Sequence, residues 1–271
     1  MAEVLAAPII EVKKLAKRFK ELRAVDEISF GVKQGEIFAF LGPNGAGKTT
    51  TIKMLITLLQ PSGGDALVDR HSIIRNPAEV RRAIDYVPQL ISVDGALTAY
   101  ENLMLMAQLY DIPARERKER VGQILAFLKL ERSAHSLART FSGGMIRKLE
   151  VGQAMVHHPR ILFLDEPTTG LDPIAKQSVW EHLLELRDKY GTTIFFSTHN
   201  MEEADEMCDR VAIMNAGKIV EIGRVAELKA KTGKADASLE DAFIFLTGNS
   251  LRETTSFREI RRARQRERRL G

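Results

Sequence analysis

The chain reads as an α/β protein built around a parallel β-sheet. Three observations predict this. The runs "GEIFAFLG" (35–42), "RILFLDEP" (160–167) and "TTIFFSTH" (192–199) are short, apolar and closed by polar or glycine residues, the pattern of strands buried on both faces. The first passes directly into a glycine-rich turn and a helical stretch from about Lys48 to Leu59, a strand–loop–helix unit. The 271 residues, 44% of them hydrophobic, suffice for the core of one large domain or of one domain with subdomains.

The other elements follow in order. Residues 9–15 and 24–32 alternate apolar with polar and predict two strands. "PSGG" (61–64) predicts a turn. Residues 98–150 have a helical pattern, broken at "DIPARER" (111–117) and "ARTFSGG" (138–144). "RVAIMNAGKIVEIG" (210–223) predicts a hairpin turning at Ala216-Gly217. No internal repeat is present, and the last 20 or so residues read as an exposed helix or a disordered tail.

Charge and cysteine content narrow the class. Residues 251–271 hold eight arginines against three glutamates, so a tail at +5 accounts for the whole formal charge of +4. The body is near neutral, unlike a nucleic-acid-binding domain with a basic face, and no nucleic-acid partner is expected. The tail has two readings, a contact with anionic lipid head groups or a solvated end. A single cysteine, Cys208, excludes an intrachain disulfide and suits a reducing, cytoplasmic setting. The opening "MAEVLAAPIIEVKK" lacks a basic stretch followed by a long apolar block, so no signal peptide is expected. No apolar run approaches the roughly 18 residues of a membrane span. A chain soluble by itself is expected, with docking on a membrane partner left open.

"GPNGAGKT" (42–49) fits G-x-x-x-x-G-K-[ST] with a strand before it and a helix after it. Glycines let the backbone wrap closely, so successive N–H groups face phosphate oxygens. The following helix adds its N-terminal partial positive charge. Lys48 is placed to reach the β- and γ-phosphates, and Thr49 to offer its hydroxyl to Mg²⁺. Such a site needs a carboxylate at the end of a neighbouring strand. "ILFLDEP" supplies Asp165 for the metal and Glu166 as the candidate base that polarises the attacking water.

With these residues in view, the chain resembles the ATP-binding cassette (ABC) ATPases. "GPNGAGKT", "YVPQ" (86–89), "FSGGM" (141–145), "ILFLDEP" (161–167), "TGLDP" (169–173) and "STH" (197–199) occur in that family's order, and the resemblance covers about residues 9–248. It implies a P-loop cassette with a RecA-like parallel-sheet core, an antiparallel β subdomain and a helical subdomain near 90–155. The cassette is expected over 1–248 and the basic tail over 249–271. It also implies ATP and Mg²⁺ as ligands. Gly42, Pro43, Asn44, Gly45, Ala46, Gly47, Lys48, Thr49 and Thr50 would form the phosphate loop, and Phe19 would stack on adenine. Gln89 would contact the metal or water, and His199 the γ-phosphate.

The resemblance further implies a head-to-tail pair of chains. Ser142, Gly143 and Gly144 would then face the partner's ATP, and Asp172 would speak across the pair. Met145, Leu149 and Val156 predict a helix starting at this signature, with Ser142 also serving as its N-cap. Two signature positions depart from the family's commonest residues, Met145 for Gln and Phe141 for Leu.

"LITLLQPSGG", "LTAYENL", "STHNMEEADEMCDRVAIMNAGKIVEIG" and "SLEDAFIFLTG" resemble the exporter branch serving drug resistance and nodulation-factor export. That branch pairs with a separate permease, which implies a place at the cytoplasmic face of the membrane. The permease would insert into a groove near "LISVDGALTAYENLMLM" (90–106). Two rivals are soluble ABC proteins of DNA or the ribosome, and a scaffold with dead sites. The first would need long coiled coils or two cassettes, but only 94 residues separate Lys48 from Ser142 and one cassette is present. Intact Lys48, Asp165, Glu166 and His199 oppose the second.

Overall fold

The computed structural model describes residues 7–248. The readings made for the basic tail lie outside the described residues. The chain runs β1 (Ile10–Phe19), β2 (Leu22–Val32), β3 (Ile37–Leu41), α1 (Lys48–Leu55), β4 (Gly63–Val68), β5 (His71–Ser72), α2 (Pro77–Ala83) and β6 (Ile84–Val87). It continues through α3 (Ala99–Leu109), α4 (Ala114–Phe127), α5 (Gly143–Met155), β7 (Ile161–Asp165), α6 (Pro173–Tyr190) and β8 (Thr193–Thr198). It closes with α7 (Met201–Met207), β9 (Arg210–Asn215), β10 (Lys218–Gly223), α8 (Val225–Ala230) and α9 (Leu239–Thr247).

Two sheets form. The larger has the order β10-β9-β3-β8-β7-β6. Its strands from β9 to β6 are parallel, and β10 is an antiparallel edge reached through the Ala216-Gly217 hairpin. Both turn residues have positive φ, +47° and +78°. The smaller sheet, β2-β1-β4-β5, is antiparallel throughout.

The apolar strands are buried on both faces, as their composition predicts. Phe38 and Phe40 of β3, Phe163 of β7 and Phe195 of β8 point to one side, where they meet Phe30 of β2 and the apolar face of α1. Phe195 lies 4.9 Å from Phe40 and 5.2 Å from Phe163 between ring centroids. Ile37, Ala39, Leu41, Leu162, Leu164 and Phe196 point to the other side, against α6 to α9. A third apolar cluster, around Leu103, Leu125 and Leu149, joins α3, α4 and α5.

The structure departs from the sequence expectations in places. The first helix ends at Leu55 and not near Leu59, because Thr57 takes a left-handed φ of +64° that no helix continues through. The predicted turn at 61–64 runs straight into β4, which starts at Gly63. The break at 111–117 is shorter than predicted, since α4 begins at Ala114 behind Pro113. Strand β6, with its companion α2, was not legible: "IDYV" is only four residues, too short for a periodic signal.

Candidate functional site

Four neighbouring strands, β3-β8-β7-β6, run the same way and end at one edge of the large sheet. In open α/β sheets, ligands bind outside the carboxyl ends of the strands. Residues 42–49 leave from β3, His199 from β8, Asp165 and Glu166 from β7, and Gln89 from β6.

The glycine loop is tightly backed. A Cβ on Gly42 would sit 2.2 Å from the Met214 carbonyl oxygen. Gly47 has φ +100°, and a Cβ there would sit 2.6 Å from the Ala24 oxygen, so neither position admits a side chain. The backbone N–H of Gly217, at the hairpin turn, donates to the Ala46 carbonyl. Lys48 opens α1 and is buried; its Nζ donates to the carbonyls of Gly42 (2.7 Å) and Pro43 (3.1 Å). Burial lowers the Lys48 pKa, while the charges of Glu166 and Asp165 work to raise it.

Asp165, the last residue of β7, is 2% exposed. One oxygen, Oδ1, accepts from Thr49 Oγ1 (3.0 Å) and Ser197 Oγ (2.5 Å). From β6, Tyr86 lies close enough that burial first, and then the Asp165 charge, raise its phenol pKa.

Glu166 follows the strand with φ +50°, an uncommon conformation for a non-glycine residue. Its backbone N–H donates to the Ser197 carbonyl, which anchors the strained residue. The carboxylate draws in three separate elements. Gln89 Nε2 donates to Oε2 at 3.3 Å, Thr169 Oγ1 donates to the same oxygen at 3.1 Å, and His199 Nδ1 stands 3.1 Å from Oε1. A carboxylate has no proton to give, so His199 Nδ1 is the donor. The His199 side chain is half exposed, on the outer side of this group.

Sequence reasoning passed over one residue that holds these loops together. Glu203 of α7 is buried, and its Oε1 accepts from Thr168 Oγ1 and from Trp180 Nε1 (3.0 Å). Its Oε2 accepts from Thr198 Oγ1 at 2.6 Å. Thr168 lies two residues past Glu166, Thr198 precedes His199, and Trp180 belongs to α6. The "EE" of "NMEEADE" looks like an exposed helix face, and no spacing in the sequence ties it to Trp180.

An open cleft of about 510 Å³ runs from the P-loop to the antiparallel sheet. Phe19, 45% exposed, forms part of its wall together with Asn44, Lys48, Thr50, Gln89 and Glu166. Ser142, Gly143, Gly144 and Asp172 are not among the residues lining it. They form a second group. Ser142 N-caps α5 by accepting from the Met145 N–H, and Asp172 N-caps α6 by accepting from the Ala175 N–H. The two helix starts touch: a Cβ on Gly144 would lie 2.7 Å from the Ala175 Cβ.

Among the described residues no three His, Cys, Asp or Glu side chains converge as a metal cage. The donors beside the P-loop are the Thr49 hydroxyl and the Asp165 carboxylate, 3.0 Å apart. Two hard oxygens at a phosphate loop fit Mg²⁺, which keeps waters of its own and takes the rest of its ligands from a nucleotide.

A phosphate loop, a strand-end acid pair and a histidine on one sheet edge define a nucleoside-triphosphate-hydrolysing cassette. The chain belongs to the ABC transporter family, which matches residues 25–169, and it is an ATP-binding, ATP-hydrolysing member. It is 42% identical over 224 residues to the daunorubicin/doxorubicin resistance ATP-binding protein DrrA of Streptomyces peucetius, covering 83% of this chain and 68% of that one. The Nod factor export ATP-binding protein I of Ralstonia nicotianae is 39% identical over 82% of this chain and 69% of its own. A solved ATP-binding subunit of an ABC transporter superposes with a TM-score of 0.78 at 32% identity, over 88% of this chain and 99% of that one. Among the described residues no helix is long and apolar enough to cross a membrane.

Proposed function

We propose that this chain is the motor of an exporter whose membrane-spanning part is a separate permease. The likeness to drug-resistance and Nod factor export proteins supports export of a drug, lipid, polysaccharide or similar compound. Residues 1–248 would act as the cassette, with 90–155 as its helical part, at the cytoplasmic face of the membrane. Leu90, Ile91 and Leu109 are strongly exposed apolar residues beside Gln89 and on α3, and suit a permease segment inserting there.

Two copies would close head to tail, with each ATP lying between the P-loop of one and the Ser142-Gly143-Gly144 of the other. The exposed place of Ser142, away from its own chain's cleft, suits this arrangement. Lys48 and the backbone N–H groups of 42–49 would hold the β- and γ-phosphates. Thr49, Asp165 and Gln89 would hold Mg²⁺, which when bound neutralises phosphate charge. Glu166 would accept the proton of the attacking water. Gln89 and His199 would orient that carboxylate and the γ-phosphate, so catalysis is mainly positioning and charge stabilisation.

The observation behind this reading is the convergence of Gln89, Thr169 and His199 on the Glu166 carboxylate. Glu166→Gln is therefore the direct test. ATP affinity should hold, turnover should fall by about 10²–10³-fold, and an ATP-dependent dimer should accumulate on size exclusion. Steady-state hydrolysis near that of the parent protein would refute the role.

A further inference from the structure

Helix α5 does more than present Ser142. Its buried side holds the stretch around Gln89 along most of the helix's length. Arg147 is 6% exposed, deep for a guanidinium, and both ends of its fork are engaged. Nη1 donates to the Pro88 carbonyl at 2.8 Å, and Nη2 to the Gln89 carbonyl at 3.3 Å. One turn on, Glu150 is 2% exposed, and its Oε1 accepts from the Ser92 N–H (2.6 Å) and the Ser92 hydroxyl (3.0 Å). Glu150 Oε2 lies 2.9 Å from Arg147 Nη1, an ion pair by distance without hydrogen-bond alignment. A further turn on, Gln153 Nε2 reaches Asn102 Oδ1 (3.4 Å), which in turn accepts from the Asp94 N–H (3.0 Å).

Positions 147, 150 and 153 are successive i,i+3 neighbours on one helix face. Residues 88, 89 and 92 are thus fastened to that face through backbone groups, and residue 94 is tied to it through Asn102 of α3, with a rigid planar fork at the Gln89 end. Gln89 itself donates to Glu166. A continuous set of contacts therefore runs from Glu166 through Gln89 and Arg147 to a helix whose N-cap is Ser142.

We propose that Arg147 and Glu150 are positioning residues that yoke the Gln89 stretch to α5. Without the yoke, α5 and its N-cap Ser142 would no longer be held in place against the Gln89 stretch. This rests on the head-to-tail reading above. Neither side chain touches the nucleotide cleft, so the yoke acts on closure and turnover and not on ATP capture by a single chain.

The test uses the full chain. Arg147→Met removes the fork at similar volume. Arg147→Met/Glu150→Leu removes both charges together, so that no unpaired buried ion remains to unfold the protein. Both variants should bind ATP within about 2-fold of the parent and lose kcat by about 10–100-fold, with Arg147→Lys restoring only part because an ammonium cannot span both carbonyls. In a Gln89→Ala background the same Arg147→Met change should cost less than about 2-fold, since its route of action is already cut. An undiminished kcat loss in that background would show a structural role only and overturn the proposal.

The second readout separates this inference from the reading beneath it. In the Glu166→Gln background the double variant should need at least about 10-fold more ATP to form the dimer. A dimer formed equally by both proteins would sink this inference alone. No ATP-dependent dimer from the Glu166→Gln parent would sink the head-to-tail reading, and this inference with it.

Discussion

The two ends of the large sheet use the same residue types in different ways. At the end opposite the cleft, Glu36 accepts from the Lys33 N–H at 2.6 Å and pairs with Arg210 at 3.2 Å. Asp209 accepts from the Ile37 N–H, and Thr193 from the Gly35 N–H. These acids are satisfied largely by backbone N–H groups at their own edge. At the cleft end, the partners of Asp165 and Glu166 are the side chains of Thr49 on α1, Ser197 on β8, and Gln89, Thr169 and His199 in the segments after β6, β7 and β8. An acid held by neighbouring backbone serves the fold at that edge; an acid held by side chains from several elements has partners that a ligand can replace.

Three measurements bear on that contrast. The largest effect is expected at the cleft end, where Lys48→Ala should lower hydrolysis by about 10²-fold or more and weaken ATP binding, with little change in melting temperature. Unchanged affinity and turnover would remove the phosphate loop from the site and erase the contrast. At the opposite end, Glu36→Gln should leave kcat and KM within about 2-fold and cost about 1–3 kcal/mol in urea unfolding, because Arg210 loses its charge partner and keeps the Gly31 carbonyl and the face of the Phe38 ring. Lost turnover with intact stability there would break the comparison.

The smallest effect belongs to a place between the two ends. Asp85 on β6 accepts from the Tyr110 hydroxyl at 2.8 Å, and the Tyr110 ring stacks on His157 at 3.9 Å. Burial pushes the Asp85 carboxyl up to about 7 and, in His157, pushes the imidazole down to about 4. The raised carboxyl contributes stability that is full below 3.8 and lost as pH rises through 7. The lowered imidazole contributes stability that is full above 6.5 and lost as pH falls through 4. Between pH 4 and 6.5 the two offset each other. Asp85→Asn should uncover the histidine, so relative to the parent the variant should lose about 1–3 kcal/mol as pH falls from 7 to 4. A urea midpoint that instead rose against the parent over that range would refute the assignment.

The cleft end was largely legible in the sequence. A phosphate loop needs small residues at fixed spacing, and a strand-end acid pair stands out after four apolar residues. Hence Lys48, Thr49, Asp165 and Glu166 lie where "GPNGAGKT" and "ILFLDEP" place them, and the three apolar runs became β3, β7 and β8. Gln89 and His199 drew meaning only from the motif series, because a lone Gln after Pro88 has no spacing of its own. Arg147, Glu150 and Glu203 were not legible. On a helix, Arg and Glu three apart look like a solvated pair, and only tertiary packing makes them a buried clamp. Strand β6 was hidden for the same reason, since its four residues gain their strand character from pairing with β7.

Strand β3 sits between β8 and β9, both made more than 150 residues later in the chain. At roughly 5–20 residues per second of synthesis, "IFAFL" leaves the ribosome some 8–30 s before either neighbour exists. Until then its five residues, all fully buried in the finished fold, have no sheet to join. The antiparallel sheet is better placed, because all four of its strands lie within the first 72 residues. Phe30 of β2, stacked on Phe38 and edge-on to Phe40, can shelter one side of β3 early in synthesis. The other side must wait for the C-terminal half, so a growing chain stays vulnerable to aggregation until about residue 215 has emerged.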